Sequence, residues 1–221
     1  MRRDLPFKGY REGELEMDRF EILVAGTGGQ GVLVLGSLLD RAARWSGFKT
    51  VIGSEIHGMA QRGGPLTSYT RMGEDVHGPI ISMGCADVII GLEFIEGLRH
   101  IERLSKNGCL VVAETRLPSS VMWLGGTLYP GRDEVLAAMR QFTEKVTVLN
   151  PYDIACEAGS IRATNLVMLG ATCAAVKDFP ITPKSIRQAI QDTFPEKLVD
   201  LNIKAFEGGI KALSQEKYLT K

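Results

Sequence analysis

Three glycines spaced as Gly26-x-Gly28-x-x-Gly31 stand between a short apolar run and an apolar stretch with helical spacing. In a strand–turn–helix this spacing presents backbone amides to an anion: Gly26 allows the tight turn, Gly28 a close approach, and Gly31 the packing of helix on strand. Gly29 lies inside the turn, and Gln30 at the helix start is a candidate polar contact. The free N–H groups that open any helix favour negative charge. A second polar concentration follows at Ser54–Gly64, SEIHGMAQRGG, where Glu55, His57, Gln61 and Arg62 are set among Gly58, Gly63 and Gly64. There an arginine fork beside glycine amides can meet a phosphate or carboxylate. An imidazole can exchange protons near neutral pH or simply order its loop. Glu55 stands near the place where a dinucleotide enzyme holds ribose hydroxyls. A solvated connector with one surface arginine is the plainer reading of the same stretch.

The elements that must position these groups follow from pattern. Ile22, Leu23, Val24 and Ala25 form a continuous apolar run, as a central strand covered on both faces requires. Val32, Leu35, Leu38, Leu39 and Ala42 then recur at helical spacing up to Gly47. Phe48–Ser54 reads as the second strand, Ser54–Gly64 as a loop without strand or helix period, and Pro65–Met72 as a strand with a hairpin partner over Val76–Ile81. Further strands are expected at Asp87–Leu92, Cys109–Ala113 and Lys145–Asn150, with helices at Glu93–Leu104 and Arg132–Phe142. Pro118–Pro130 reads as an apolar insertion. From Asp153 onward the chain turns helical, at Asp153–Ala158, Thr164–Val176, Pro183–Phe194 and Lys197–Leu213. Thr182 before Pro183 is an N-cap signal. The nearly all-apolar Thr164–Val176 stretch is a core helix or half of an oligomer interface.

The expected architecture is therefore α/β: a Rossmann-like, mostly parallel sheet with flanking helices and a helical C-terminal region. Residues 19–213 form one domain, residues 1–18 a flexible charged arm, and residues 214–221 a tail. A chain of 221 residues, 44% hydrophobic, can bury one substantial core. With 26 basic and 26 acidic residues the net charge is zero, so no global field draws it to nucleic acid or an anionic membrane. No apolar run is long enough to span a bilayer, and the N-terminus is charged rather than signal-like, which points to a cytoplasmic protein. Cys85, Cys109, Cys156 and Cys173 are scattered, with none of the C-x-x-C spacing of zinc or iron–sulfur ligands, so no metal site is expected.

Taken together, GTGGQG at Gly26–Gly31 and SEIHGMAQRGG at Ser54–Gly64 resemble the gamma-type subunits of 2-oxoacid:ferredoxin oxidoreductases, closest to the branch acting on indolepyruvate. The similarity runs to about Leu213 and includes Asn165–Gly170, NLVMLG. The resemblance implies a subunit, inactive alone, of a heteromeric enzyme that oxidatively decarboxylates a 2-oxoacid onto coenzyme A and passes electrons to ferredoxin. It implies that thiamine diphosphate and the iron–sulfur clusters sit on a large partner subunit, that His57 and Arg62 belong to the catalytic side of the loop, and that Gly26, Gly28, Gly29, Gln30, Gly31, Glu55, Gly63 and Gly64 form its binding surface. Two other readings stay open: a stand-alone dinucleotide-binding dehydrogenase with Glu55 on the ribose, and a Rossmann-like scaffold that only binds partners.

Overall fold

The computed structural model describes residues 17–58, 63–118 and 128–213. The proposed arm (but for residues 17 and 18), the tail, Arg62 and most of the 118–130 insertion therefore lie outside the described residues. A six-stranded sheet runs in the order β2-β3-β1-β4-β5-β6, formed by β1 (Phe20–Thr27), β2 (Val51–His57), β3 (Pro65–Met72), β4 (Ala86–Gly91), β5 (Leu104–Ala113) and β6 (Val146–Leu149). Three of its five pairings are parallel, and β3 alone runs against its neighbours. The architecture is the α/β one expected from the sequence.

Helix α1 (Val32–Trp45) packs on one face of the sheet together with α4 (Tyr152–Ala158), α5 (Thr164–Ala175), α6 (Pro183–Thr193) and α7 (Glu196–Ala212). Helices α2 (Phe94–Arg99) and α3 (Arg132–Arg140) cover the other. The apolar run of β1 explains why two cores exist. Ile22 and Val24 enter the first, Leu23 and Ala25 the second, and all four are essentially inaccessible. Ile22, Leu23 and Val24 each contribute roughly 1.5–3 kcal/mol on burial. The register of β1 against β3 is pinned by a buried cross-strand pair, since Arg71 stands opposite Glu21 and donates from Nε to its carboxylate at 2.8 Å.

Four sequence expectations need correction. The strand expected at Phe48–Ser54 is displaced to Val51–His57, so Ser54, Glu55, Ile56 and His57 are strand rather than loop. The cause is pairing: β3 supplies a full ladder opposite β2, from Val51↔Met72 to His57↔Leu66, and backbone bonds hold a segment whose side chains lack the period. No strand forms over Val76–Ile81, because β3 already uses both edges, on β1 and on β2. The helix expected at Glu93–Leu104 stops at Arg99, and β5 begins at Leu104 through its pairing with Ala86.

The Thr164–Val176 stretch is a core helix. Residues Asn165 to Thr172 are all buried, and α5 crosses α7 with backbones in direct contact. A Cβ on Gly170 would stand 1.9 Å from the Phe206 carbonyl oxygen, and one on Gly209 would stand 2.0 Å from that of Val167. Glycine is the side chain that permits this approach.

Candidate functional site

The turn after β1 is built from glycines with different duties. Gly29 (φ +106°) and Gly31 (φ +79°) adopt left-handed backbone that other residues reach only with strain. Gly26 has no room for a Cβ, which would meet Gln30 Oε1 and Val32 Cγ2 at 2.9 Å. Gly31 is closed in by Asn165 at the start of α5, whose Nδ2 donates to the Gly31 carbonyl at 3.3 Å. Gly29 is different: a Cβ there would meet nothing within 4 Å, so this part of the turn faces open space.

Gln30 ties the turn to the sheet. Its Oε1 accepts from the Thr27 amide at 2.8 Å and the Thr27 hydroxyl at 3.1 Å, and its Nε2 donates to the Leu92 carbonyl at 2.7 Å. The carboxyl ends of β1 and β4 are thereby cross-linked. Backbone bonds reach to the second motif as well. The Gly28 amide donates to the Gly64 carbonyl at 2.9 Å, and the Gly63 amide donates to the Gly28 carbonyl at 3.4 Å. The two sequence motifs are thereby clamped together at the carboxyl end of the sheet, through residues 28 and 63–64 that lie more than thirty positions apart.

Glu55 and His57 lie elsewhere on the same motif. They share a face of the edge strand β2, with His57 Nε2 3.7 Å from Glu55 Oε2 and both side chains exposed. This face borders an open cleft of about 440 Å³ that is also lined by Ser37 and Asp40 of α1 and by Gly53, Ser54 and Ser68. Asp40 is the perturbed group there. Burial raises its carboxyl from the usual 3.8 to about 6, opposed by the Thr70 hydroxyl and by Arg44, while Glu55 adds a smaller repulsion. Thr70 Oγ1 donates to Asp40 Oδ1 at 2.7 Å. Because β3 separates β2 from β1, Glu55 stands two strands away from the glycine turn, a distance of about 10 Å at ordinary strand spacing.

This geometry, a glycine turn whose amide is already engaged by a second glycine-rich segment, is accompanied by a match of residues 21–212 to the family described as pyruvate ferredoxin/flavodoxin oxidoreductase. The chain belongs to this family. Within it, the chain is 37% identical over 200 residues to indolepyruvate oxidoreductase subunit IorB of Thermococcus kodakarensis, covering 90% of this chain and 98% of that one. With the subunit of the same name from Archaeoglobus fulgidus it shares 42% over 193 residues, covering 86% and 94%. The fold matches that of the keto/oxoacid ferredoxin oxidoreductase gamma subunit of Geobacter sulfurreducens, with a TM-score of 0.63, 26% identity, and 88% and 99% of the two chains covered. It is a gamma-type oxidoreductase subunit, close to the IorB proteins.

In this oxidoreductase subunit the structure brings Gly26, Gly28, Gly29, Gln30 and Gly31 together with Gly63 and Gly64, and places Glu55 and His57 on the neighbouring cleft. Arg62 lies outside the described residues. Asp40 and Ser68 escaped the sequence reading, although a glycine inside a regular element signals each. A Cβ on Gly53 would stand 1.9 Å from Asp40 Oδ2, and one on Gly36 would stand 1.9 Å from Ser68 Oγ. Such glycines mark places where another group approaches closely. Among the described residues no group of three or more His, Cys, Asp or Glu side chains can hold a metal ion. Burial pushes the Cys173 thiol up to about 12 and raises that of Cys109, so both stay protonated at neutral pH.

Proposed function

We propose that this chain is the gamma-type subunit of a heteromeric enzyme oxidising indolepyruvate or a related arylpyruvate with coenzyme A and ferredoxin, and that its carboxyl-end face forms one wall of the catalytic pocket. The observation that carries the reading is the clamp between Gly28 and Gly63–Gly64. It sets the residues adjoining Arg62 beside the turn, in a chain that matches the IorB subunits almost end to end. Thiamine diphosphate, when bound on the large subunit, supplies the stabilisation of the carbanion. The described residues of this chain do not fit a cluster or metal seat, so its part is to bind, orient and exclude water.

Arg62 is assigned to the anionic end of a ligand, a 2-oxoacid carboxylate or a coenzyme A phosphate, with the Gly63–Gly64 backbone beside it. The open side of Gly29 leaves space for the same group. Gln30 acts by holding the ends of β1 and β4 in place. Glu55 and His57, paired on β2, fix the start of the loop. A nicotinamide dinucleotide is less well served, because the Gly28 amide that would meet a pyrophosphate is already donated to Gly64.

The test is co-purification of the tagged chain from its host, followed by viologen-dye reduction with indolepyruvate and coenzyme A. Recovery of a large thiamine-bearing subunit and a fall of at least tenfold in kcat/KM for Arg62→Ala are expected, the size of a lost charged hydrogen bond. A chain that stays alone, or an Arg62→Ala complex of wild-type activity, overturns the assignment.

A further inference from the structure

Helix α1 meets the sheet in two ways. Toward the core it packs with Leu35, Leu38 and Leu39, all inaccessible to solvent. Toward the edge strand the large side chains stop, and small ones replace them: Gly36 and Ser37 on α1, Gly53 and Ser54 on β2, and Ser68 on β3. The space so left is the open cleft of about 440 Å³, which has the size of a small-molecule site without the apolar lining usual in one.

Two carboxylates and a buried hydroxyl open onto this cleft. Asp40 Oδ1 accepts from Thr70, whereas Oδ2, which lies over Gly53, accepts no hydrogen bond among the described residues. Glu55 stands opposite Ser68 in the β2–β3 ladder and adds a second negative charge. The charges acting on Asp40 are Arg44 from its own helix and Glu55 from β2, and Arg44 donates to the Val51 carbonyl at 3.0 Å. Ser68 is the independent sign of a ligand. It is 3% exposed and lines the cleft, yet its hydroxyl has no hydrogen-bond partner among the described residues. A buried hydroxyl ordinarily has one, and alanine would fill the same place without that cost.

We propose that this cleft is a binding site for a small molecule bearing a primary ammonium group. Three N–H donors on one cationic nitrogen answer three acceptors that the chain leaves open: Asp40 Oδ2, the Glu55 carboxylate and Ser68 Oγ. Hydrogen bonds between such charged groups are about twice as strong as neutral ones. An anion would meet two carboxylates of its own sign, and an apolar ligand would leave all three acceptors bare. Among the described residues the carboxylates and His57 do not form a group that can hold a metal ion. The site is two strands away from the glycine turn and stands whether or not the subunit reading holds.

The test follows the backbone amide resonances of the full chain during titration with n-butylammonium chloride, and with tetramethylammonium chloride at equal ionic strength. The resonances of Gly53, Glu55 and Ser68 are expected to shift to saturation with n-butylammonium, half-way at or below about 1 mM. Tetramethylammonium carries the charge without an N–H and is expected not to saturate them. Asp40→Asn keeps an acceptor for Thr70 and removes the charge, and is expected to raise the half-saturating concentration at least tenfold. Ser68→Ala, the milder change to the fold, is expected to raise it several-fold, with cooperative melting of each variant showing that it remains folded. A chain whose resonances do not saturate with n-butylammonium overturns the proposal. So does half-saturation at the wild-type concentration in both variants. Equal binding of the two cations overturns it as well, since a negative field alone would then gather charge at the cleft.

Discussion

Asp40 shows how a residue can be chemically prominent and yet silent in sequence. Its carboxyl is pushed from 3.8 up to about 6 because α1 presses it onto Gly53 and Thr70, where it is mostly buried at the edge of the cleft. A carboxyl with a raised folded pKa contributes stability that is fully present below the unfolded value and is lost as pH rises through about 6. The loss is bounded by about 3 kcal/mol, at roughly 1.4 kcal/mol for each pH unit. His100 works the other way, since burial and then Arg103 and Arg99 lower it to about 4, so its contribution grows as pH rises from about 4 toward 6.5. The two titrations oppose each other between these limits, and a wild-type stability profile hides both. Asp40→Asn separates them, because its side-chain oxygen still accepts from Thr70 while the charge is gone. The variant is expected to be more stable than wild type by about 1–3 kcal/mol at pH 8 and equal to it near pH 4, measured by urea unfolding at the two pH values. Equal gains at both would assign the effect to packing and not to charge.

Regular elements were legible where side chains alone decided them. The apolar run of β1, the helical spacing of α1 and the Thr182–Pro183 start of α6 each report local physics, and the Thr182 hydroxyl does accept the Ser185 amide at 3.1 Å. The polar half of β2 was not legible, because Ser54 to His57 are strand only through the ladder that β3 offers. For the same reason the clamp from Gly28 to Gly63 and Gly64 left no trace in the sequence beyond the glycines themselves: it is made of backbone atoms. The crossing of α5 on α7 lies between these cases. Gly208 and Gly209 are neighbours in sequence, yet only Gly209 stands where α7 meets the backbone of Val167 and Ala171 on α5. The two glycines of α7 should therefore behave differently. Gly209→Ala places a methyl group 2.0 Å from a backbone oxygen and must force the helices apart, at about 3 kcal/mol or more. Gly208→Ala meets only the Cγ2 methyl of Ile154, at 2.6 Å, so a shift of that one buried side chain relieves the contact, at a cost offset in part by up to about 1 kcal/mol of helix propensity. Thermal melts are expected to show Gly209→Ala lower by roughly 6–12 °C and Gly208→Ala within a few degrees of wild type.

The whole molecule is a sheet covered on both faces, with the proposed site at its carboxyl end. Three ties join segments distant in sequence there: residues 27–31 to 63–64 by the glycine clamp, residues 27–31 to 92 by Gln30, and residue 93 to 117 and 129 by the Glu93 side chain. The first of these ties consumes the Gly28 amide that a pyrophosphate would otherwise engage, so this end is built more as a preformed surface than as a nucleotide cradle. The glycine spacing alone argues for a dinucleotide, and the difference between the two readings is measurable on the isolated chain. A ligand at 100 times its Kd adds about 2.7 kcal/mol to the native state. For a chain of this size that corresponds to a rise of roughly 5–11 °C in melting temperature. At about 1 mM NAD, 100 times a Kd of 10 μM, the chain is therefore expected to melt within about 1 °C of its unliganded value. The purified large subunit, added in excess, is expected to raise the transition by several degrees, because only the native surface can bind it. A rise above about 5 °C with NAD alone would mean that the Gly28 amide leaves Gly64 for a pyrophosphate, and the dehydrogenase reading would return.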